Sequence, residues 1–185
     1  RSTSLPLIDP GQRIRATAIG ASQYTVQVSG KTIYLPRPGV LPVHNVPVVH
    51  VGPPSGMGLN GAIDGGAIAA AIRGGLARLD LDADSRFAVA FSWAGDPDYP
   101  RLAAAARAVM AAVAPTGRRT QPLFLMIDGD IGKTFGRILA EELGLAGDVV
   151  AIDGVALQEF DFVDVGEMIS PPGVVPVVIK SLLFS

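Results

Sequence analysis

The sequence predicts an α/β fold in which short antiparallel strands are followed by β-α-β-α-β units. Three observations carry this reading. Apolar runs of strand length, RFAVAFSW, QPLFLMID and DVVAID, alternate with longer segments whose apolar residues recur at helical spacing. A β-branched stretch containing TVQVS and KTIYL precedes them. The chain is 49% hydrophobic and only 17% charged, with Ala and Gly crowded into its middle, a composition suited to helices packed closely on a buried sheet.

Residues 1–12, RSTSLPLIDPGQ, read as a linker or boundary. The first residue is Arg rather than Met, so residues 13–185 are expected to form one α/β lobe of a longer protein. From Arg13 the run RIRATAIGASQYTVQVSGKTIYL predicts two or three short antiparallel strands turning at Ser29-Gly30-Lys31. The segment from Pro36 to Pro47 holds too many prolines for a central strand and is expected to be an extended connection or edge, because each proline removes a ladder donor. VPVVHV then predicts a short strand. A helix is expected over Ala62–Leu79: Ile68, Ile72, Leu76 and Leu79 fall on one face, and Asp64, Arg73 and Arg78 on the other.

After the strand RFAVAFSW, Asp98 is the expected cap of a second helix that tolerates Pro100 in its first turn. Leu102, Ala106, Val109 and Val113 form its apolar face, and Pro115-Thr116-Gly117 stops it. The strand QPLFLMID leads to a third helix, Gly132 to Leu143, ended by Gly144, and then to the strand DVVAID. This order implies a parallel sheet with right-handed crossovers. A last strand is expected in GVVPVVIKSLLF.

Charge and composition narrow the function. A net charge of −2, no dense Lys/Arg cluster and a single Trp argue against nucleic-acid binding. No apolar run approaches the length of a membrane span. The absence of cysteine excludes disulfides and thiolate chemistry and suits a reducing cytoplasm, where the protein is expected. The two histidines, His44 and His50, lack a third ligand in sequence and are read as structural rather than zinc-binding. No Ser-His-Asp set is apparent, because neither histidine is near a G-x-S-x-G elbow.

Two turns are candidates for a ligand. In LFLMIDGDIGKTFGRIL a strand enters a helix through Gly129, Gly132, Lys133 and Thr134, but only Asp130 and Ile131 separate the glycines, so this is not a P-loop, which needs four residues there. What remains is a helix start with free amides beside Lys133, able to hold an anion, with Asp128 and Asp130 able to bridge magnesium to it. The competing reading is that Asp128 or Asp130 caps the helix. The second turn is AIGASQYT, where Gly20, Ala21 and Ser22 either bring backbone amides to a ligand or form a plain glycine turn between strands. A third feature, the five carboxylates Asp153, Glu159, Asp161, Asp164 and Glu167, lacks the order of a calcium loop and is read as an exposed acidic turn or interaction surface, with Phe160, Phe162 and Val163 as core anchors.

Taken together, RATAIGASQYTVQVSGKTIYL, LPVHNVPVV, IDGDIGKTFGRILAEEL and FDFVDVGEMISPPGVVPVVIKSLLF resemble the reactivating factors of ethanolamine ammonia-lyase, the EutA family, nearly from end to end of the chain. The resemblance implies the C-terminal portion of an ATP-dependent chaperone with an actin- and Hsp70-like, ribonuclease H-like ATPase fold. Such a chaperone would use ATP and Mg2+ to release damaged cobalamin from ethanolamine ammonia-lyase. In that superfamily a second-lobe phosphate loop reads D-x-G-G-G-T-x-D, and AIGASQYTVQV has a similar rhythm. Ala18 stands at the leading Asp, and Ala21 and Ser22 replace glycines. The resemblance also places the first lobe's phosphate loop outside this chain, so the chain alone is expected to turn over no ATP. The alternative it leaves open is a non-enzymatic interaction module whose nucleotide site has decayed.

Overall fold

The computed structural model describes residues 22–30, 32–57, 61–82, 84–114, 120–171 and 173–182, without the side chains of 22, 54 and 182. Seven strands are present among them: β1 (Ser22–Val28), β2 (Val43–His50), β3 (Ala88–Ser92), β4 (Leu123–Asp128), β5 (Val149–Asp153), β6 (Phe162–Val165) and β7 (Pro176–Leu182). Three helices accompany them: α1 (Gly65–Arg78), α2 (Tyr99–Val113) and α3 (Gly132–Arg137). The strands form one mixed sheet in the order β1-β7-β6-β2-β3-β4-β5. β2 to β5 run parallel, as the alternating sequence predicts, whereas β1, β7, β6 and β2 pair antiparallel.

The parallel strands are buried on both faces, which is why their sequences are unbroken apolar runs. Val89 and Phe91, Leu123, Leu125 and Ile127, and Val149 and Ala151 point to a core shared with the three helices. The alternate residues, Ala88 and Ala90, Phe124 and Met126, Val150 and Ile152, point into the curl of the sheet, where they meet Val163, Val165, Val177 and Ile179 of the antiparallel strands. On α1, Ile68, Ile72 and Leu76 are buried as the spacing predicts, each contributing about 1.5–3 kcal/mol relative to exposure. The helix starts later than the expected Ala62, because Asp64 is its cap rather than part of its polar face: its carboxylate accepts from Ala67 N–H at 2.9 Å. Asp98 caps α2 as expected, accepting from Arg101 N–H at 3.0 Å. Pro115, Thr116 and Gly117 lie outside the described residues.

Four expectations change. TVQVS and KTIYL do not form a hairpin. β1 pairs along its length with β7, and beyond it Ser29 N–H donates to Val175 O at 3.0 Å, Gly30 N–H to Asp153 O at 3.0 Å, and Tyr34 and Ala151 exchange backbone bonds of 2.8 and 2.9 Å. Residues 29–30 and 32–34 thus lie between one edge strand of the curled sheet and the other. They can do so because Ile33 and Leu35 pack on the core inside the curl while Tyr34 packs on the helix-side core, giving the segment a buried contact on each face.

Pro47 lies inside a central strand, contrary to the expectation of a connection or edge. It is opposite Phe162 of β6, one residue before parallel pairing with β3 begins at Val48↔Ala88. Its neighbour Val48 donates towards β6, to Asp161 O at 3.0 Å, so the alternation of a strand directs the missing Pro47 donor to a side where pairing has not yet started.

The third helix is α-helical only through Arg137 and continues as a π-wound turn over Ile138–Glu142, with Leu143 N–H donating to Ile138 O at 2.9 Å. Its end at Gly144, with φ 67°, is as expected.

The acidic segment is not an exposed acidic surface. It contains β6, and most of its carboxylates are engaged. Asp161 is buried and accepts from Gln158 N–H at 2.8 Å and Ser181 Oγ at 2.7 Å. Asp164 meets Lys180 at 2.7 Å, and Glu159 meets Arg78 at 2.5 Å. Val163 is a core residue, whereas Phe160 is 40% exposed rather than buried in the core.

Candidate functional site

The parallel strands β3, β4 and β5 end in Ser92, Asp128 and Asp153, so a row of polar side chains stands at their carboxyl edge, the usual ligand-binding edge of an α/β sheet. Ladder bonds continue past the strand ends and pin the loop that follows β4: Trp93 N–H donates to Asp128 O at 2.9 Å and Gly154 N–H to Gly129 O at 3.1 Å. This brings Asp128, Gly129, Asp130, Gly132 and Lys133 into one turn, as the sequence predicts for that motif.

The turn is not an empty cradle, because Gly30, Thr32 and Tyr34 lie across it. Lys133 N–H donates to Thr32 O, and the Thr32 hydroxyl contacts the carboxylates of both Asp130 and Asp153. The closeness explains three glycines. A Cβ on Gly132 would lie 2.8 Å from Thr32 O, one on Gly30 would lie 2.9 Å from Asp153 Cγ, and one on Gly136 would lie 2.6 Å from Tyr34 Cβ. Gly132 therefore serves the approach of another backbone segment.

Neither Asp128 nor Asp130 caps α3. The N-cap is Ile131, with no side-chain cap bond. Asp128 instead accepts from Ser92 Oγ at 3.2 Å, and Asp130 is held by Thr32. Lys133 and Thr134 are exposed on the first turn, and the Lys133 ammonium makes no ion pair among the described residues. Gly20 and Ala21 lie outside the described residues, and Ser22 begins β1 opposite Leu182. Since β1 extends for about 20 Å before the chain reaches Asp153, Ser22 is at the end of the strand remote from the Asp130 cluster.

Asp153 is the residue that sequence reasoning did not place here. It is 1% exposed, its Oδ2 meets Thr32, and its Oδ1 has no hydrogen-bond partner. Burial, followed by the hydrogen bond and charge of Asp130, raises its carboxyl from 3.8 to about 6. A signal was present: Ile-Asp-Gly ends both β4 (127–129) and β5 (152–154), marking two equivalent strand ends. Thr32 and Ser92 had no comparable signal.

Beside this row, an open cleft of about 220 Å³ is lined by His50, Val51, Gly52, Pro53 and Ser92 at the ends of β2 and β3. His44 is instead beside Asp164, its Nδ1 3.6 Å from Oδ2. No group of three or more His, Asp or Glu able to hold a metal exists among the described residues. The donors that do converge are two carboxylates and a hydroxyl, hard oxygens suited to a small divalent cation that keeps waters or phosphate oxygens in its remaining positions. No described helix is long and apolar enough to cross a membrane.

The family model of the ethanolamine utilisation protein EutA matches residues 1–185. The ethanolamine ammonia-lyase reactivase EutA of Salmonella typhimurium strain LT2 is 33% identical over 178 residues, 95% of this chain and 35% of that protein. The protein of the same description from Escherichia coli strain K12 is 34% identical over 179 residues, again 95% of this chain and 35% of the relative. The chain thus spans 35% of the length of these curated relatives. No solved structure matches it. A match along every residue shows that the chain belongs to the EutA family of ethanolamine utilisation proteins.

Proposed function

We propose that this chain is the C-terminal lobe of an ATP-dependent chaperone that reactivates ethanolamine ammonia-lyase by exchanging damaged cobalamin for intact cofactor. The observation that carries the proposal is the end-to-end family match, together with relatives described as reactivases of that enzyme. The carboxyl edge of the parallel strands supports a nucleotide in this reading. Gly129, Gly132, Lys133 and Thr134 offer backbone and cationic contacts to phosphate, and Asp130 of the same turn offers a carboxylate to Mg2+. The orphaned, buried Asp153 Oδ1 fits a cation at this edge, since a buried carboxylate oxygen without a donor is costly unless an ion or a proton balances it. An actin- and Hsp70-like ATPase architecture and a cytoplasmic location belong to the same proposal.

A second reading, an interaction module with a decayed nucleotide site, is favoured by two particulars. The Lys133 amide already serves Thr32, and the start of β1 at Ser22 is remote from the Asp130 turn. Calorimetric titration of the full-length protein with ATP and Mg2+ separates them. Saturable binding of one nucleotide, with no turnover by residues 1–185 alone, is expected of the first reading. Absence of binding to the full-length protein leaves the second.

A further inference from the structure

The Thr32 hydroxyl carries one proton but faces two carboxylates, Asp130 Oδ1 and Asp153 Oδ2. A single O–H cannot donate to both, so the pair needs either a further proton or a cation between them. The surroundings limit what supplies it. Asp153 is 1% exposed and its Oδ1 has no donor, while Gly30 and Gly132 pack so closely around it that neither has room for a Cβ. No Lys, Arg or His among the described residues pairs with either carboxylate. Asp130, by contrast, is exposed, so the cluster opens to water on that side.

We infer that Asp130 and Asp153, with the Thr32 hydroxyl, form the divalent-cation site of this lobe, and that Asp128 is not a ligand. The three donors come from different parts of the chain: Thr32 from the crossing segment, Asp130 from the loop after β4, and Asp153 from the end of β5. Two carboxylates and a hydroxyl leave the remaining positions of an octahedral ion for water or phosphate oxygen on the open side. Asp128 meets Ser92, on the β3 side of the turn. Binding would also tie Thr32 to the α3 turn and so couple the ion to the approach of that backbone.

The inference refines the Mg2+ part of the proposed function. Its test uses metal without nucleotide, so failure to bind ATP does not bear on it. Mn2+ is titrated into the full-length protein and free aquo-Mn2+ is followed by electron paramagnetic resonance, with Mg2+ as competitor. Wild type is expected to bind one displaceable Mn2+ at this cluster. Asp153→Asn and Asp130→Asn should each weaken that binding by about tenfold or more, Thr32→Val should weaken it measurably, and Asp128→Asn should leave it within about twofold. Melting curves in chelator show whether each variant is folded. If buried Asp153→Asn fails that check, the accessible Asp130→Asn and Thr32→Val carry the test. No displaceable Mn2+ in wild type, unchanged affinity in the Asp130 and Thr32 variants, or loss on Asp128→Asn with retention on Asp153→Asn would overturn the assignment.

Discussion

Asp153 and Asp161 are both buried carboxylates, yet the two halves of the sheet treat them in opposite ways. Asp161, where the antiparallel half begins, has a donor for each oxygen, Gln158 N–H and Ser181 Oγ, and so clasps β6 to β7. Asp153, at the end of the last parallel strand, has one oxygen with no donor and a second carboxylate as neighbour through Thr32. Burial is therefore not what separates a structural acid from a functional candidate. The separating property is whether the fold supplies enough donors to satisfy it.

The largest effect is expected where the crossing segment meets α3. In Gly132→Ala the new methyl would meet Thr32 O at 2.8 Å and Asp153 N at 3.3 Å, both backbone atoms that cannot swing aside. A loss of about 3 kcal/mol is expected in urea denaturation, and a wild-type midpoint would mean that Thr32 does not rest on this turn. Asp161→Ala comes next, at about 2 kcal/mol, because it breaks the half-buried bonds of the Gln158 N–H and the Ser181 hydroxyl. Were it neutral, the structural member of the comparison would lose its standing.

Titration sharpens the contrast. In chelator, Asp153, raised from 3.8 to about 6, binds a proton more tightly folded than unfolded. Its contribution to stability is complete below pH 3.8 and is lost as pH rises through about 6. Asp164 behaves in the opposite sense. Burial alone would raise it, but the hydrogen bonds from Lys180 and Asn45 N–H, with the Lys180 charge, hold it below its ordinary 3.8. Its contribution is present above 3.8 and is lost as pH falls through the lowered value. Urea midpoints over a pH series should show Asp153→Asn removing a decline towards neutral pH and Asp164→Asn removing a decline towards acid. Equal slopes in the two variants would erase the distinction.

The smallest expected change in stability is at Lys133. Lysine in a first helical turn opposes the dipole by about 0.3–1 kcal/mol, so Lys133→Ala should leave the melting temperature unchanged or slightly raised. Reduced ATP affinity of the full-length variant is the expected readout of a phosphate contact. Unchanged affinity would make Lys133 a solvated charge.

The sequence alone determined the elements whose signal is local. Asp98 and Pro100 start α2, the Ile68, Ile72 and Leu76 stripe of α1 faces the core, and the apolar runs of β3, β4 and β5 are buried on both sides, because caps, periodicity and strand length are set by neighbours along the chain. It also carried the motifs that resemble EutA and the Asp128–Lys133 turn. It did not carry pairing between distant segments. Lys31–Leu35 reads equally well as the second strand of a hairpin. Only the curl of the sheet, which sets the end of β1 beside the end of β5, makes the outer edge of β5 the partner of Tyr34. The same closure decided the candidate site. Asp153 belongs to an acidic segment in sequence, but in the fold it lies under Thr32 and against Asp130, since the donors near a carboxylate are fixed by which strands end together in space.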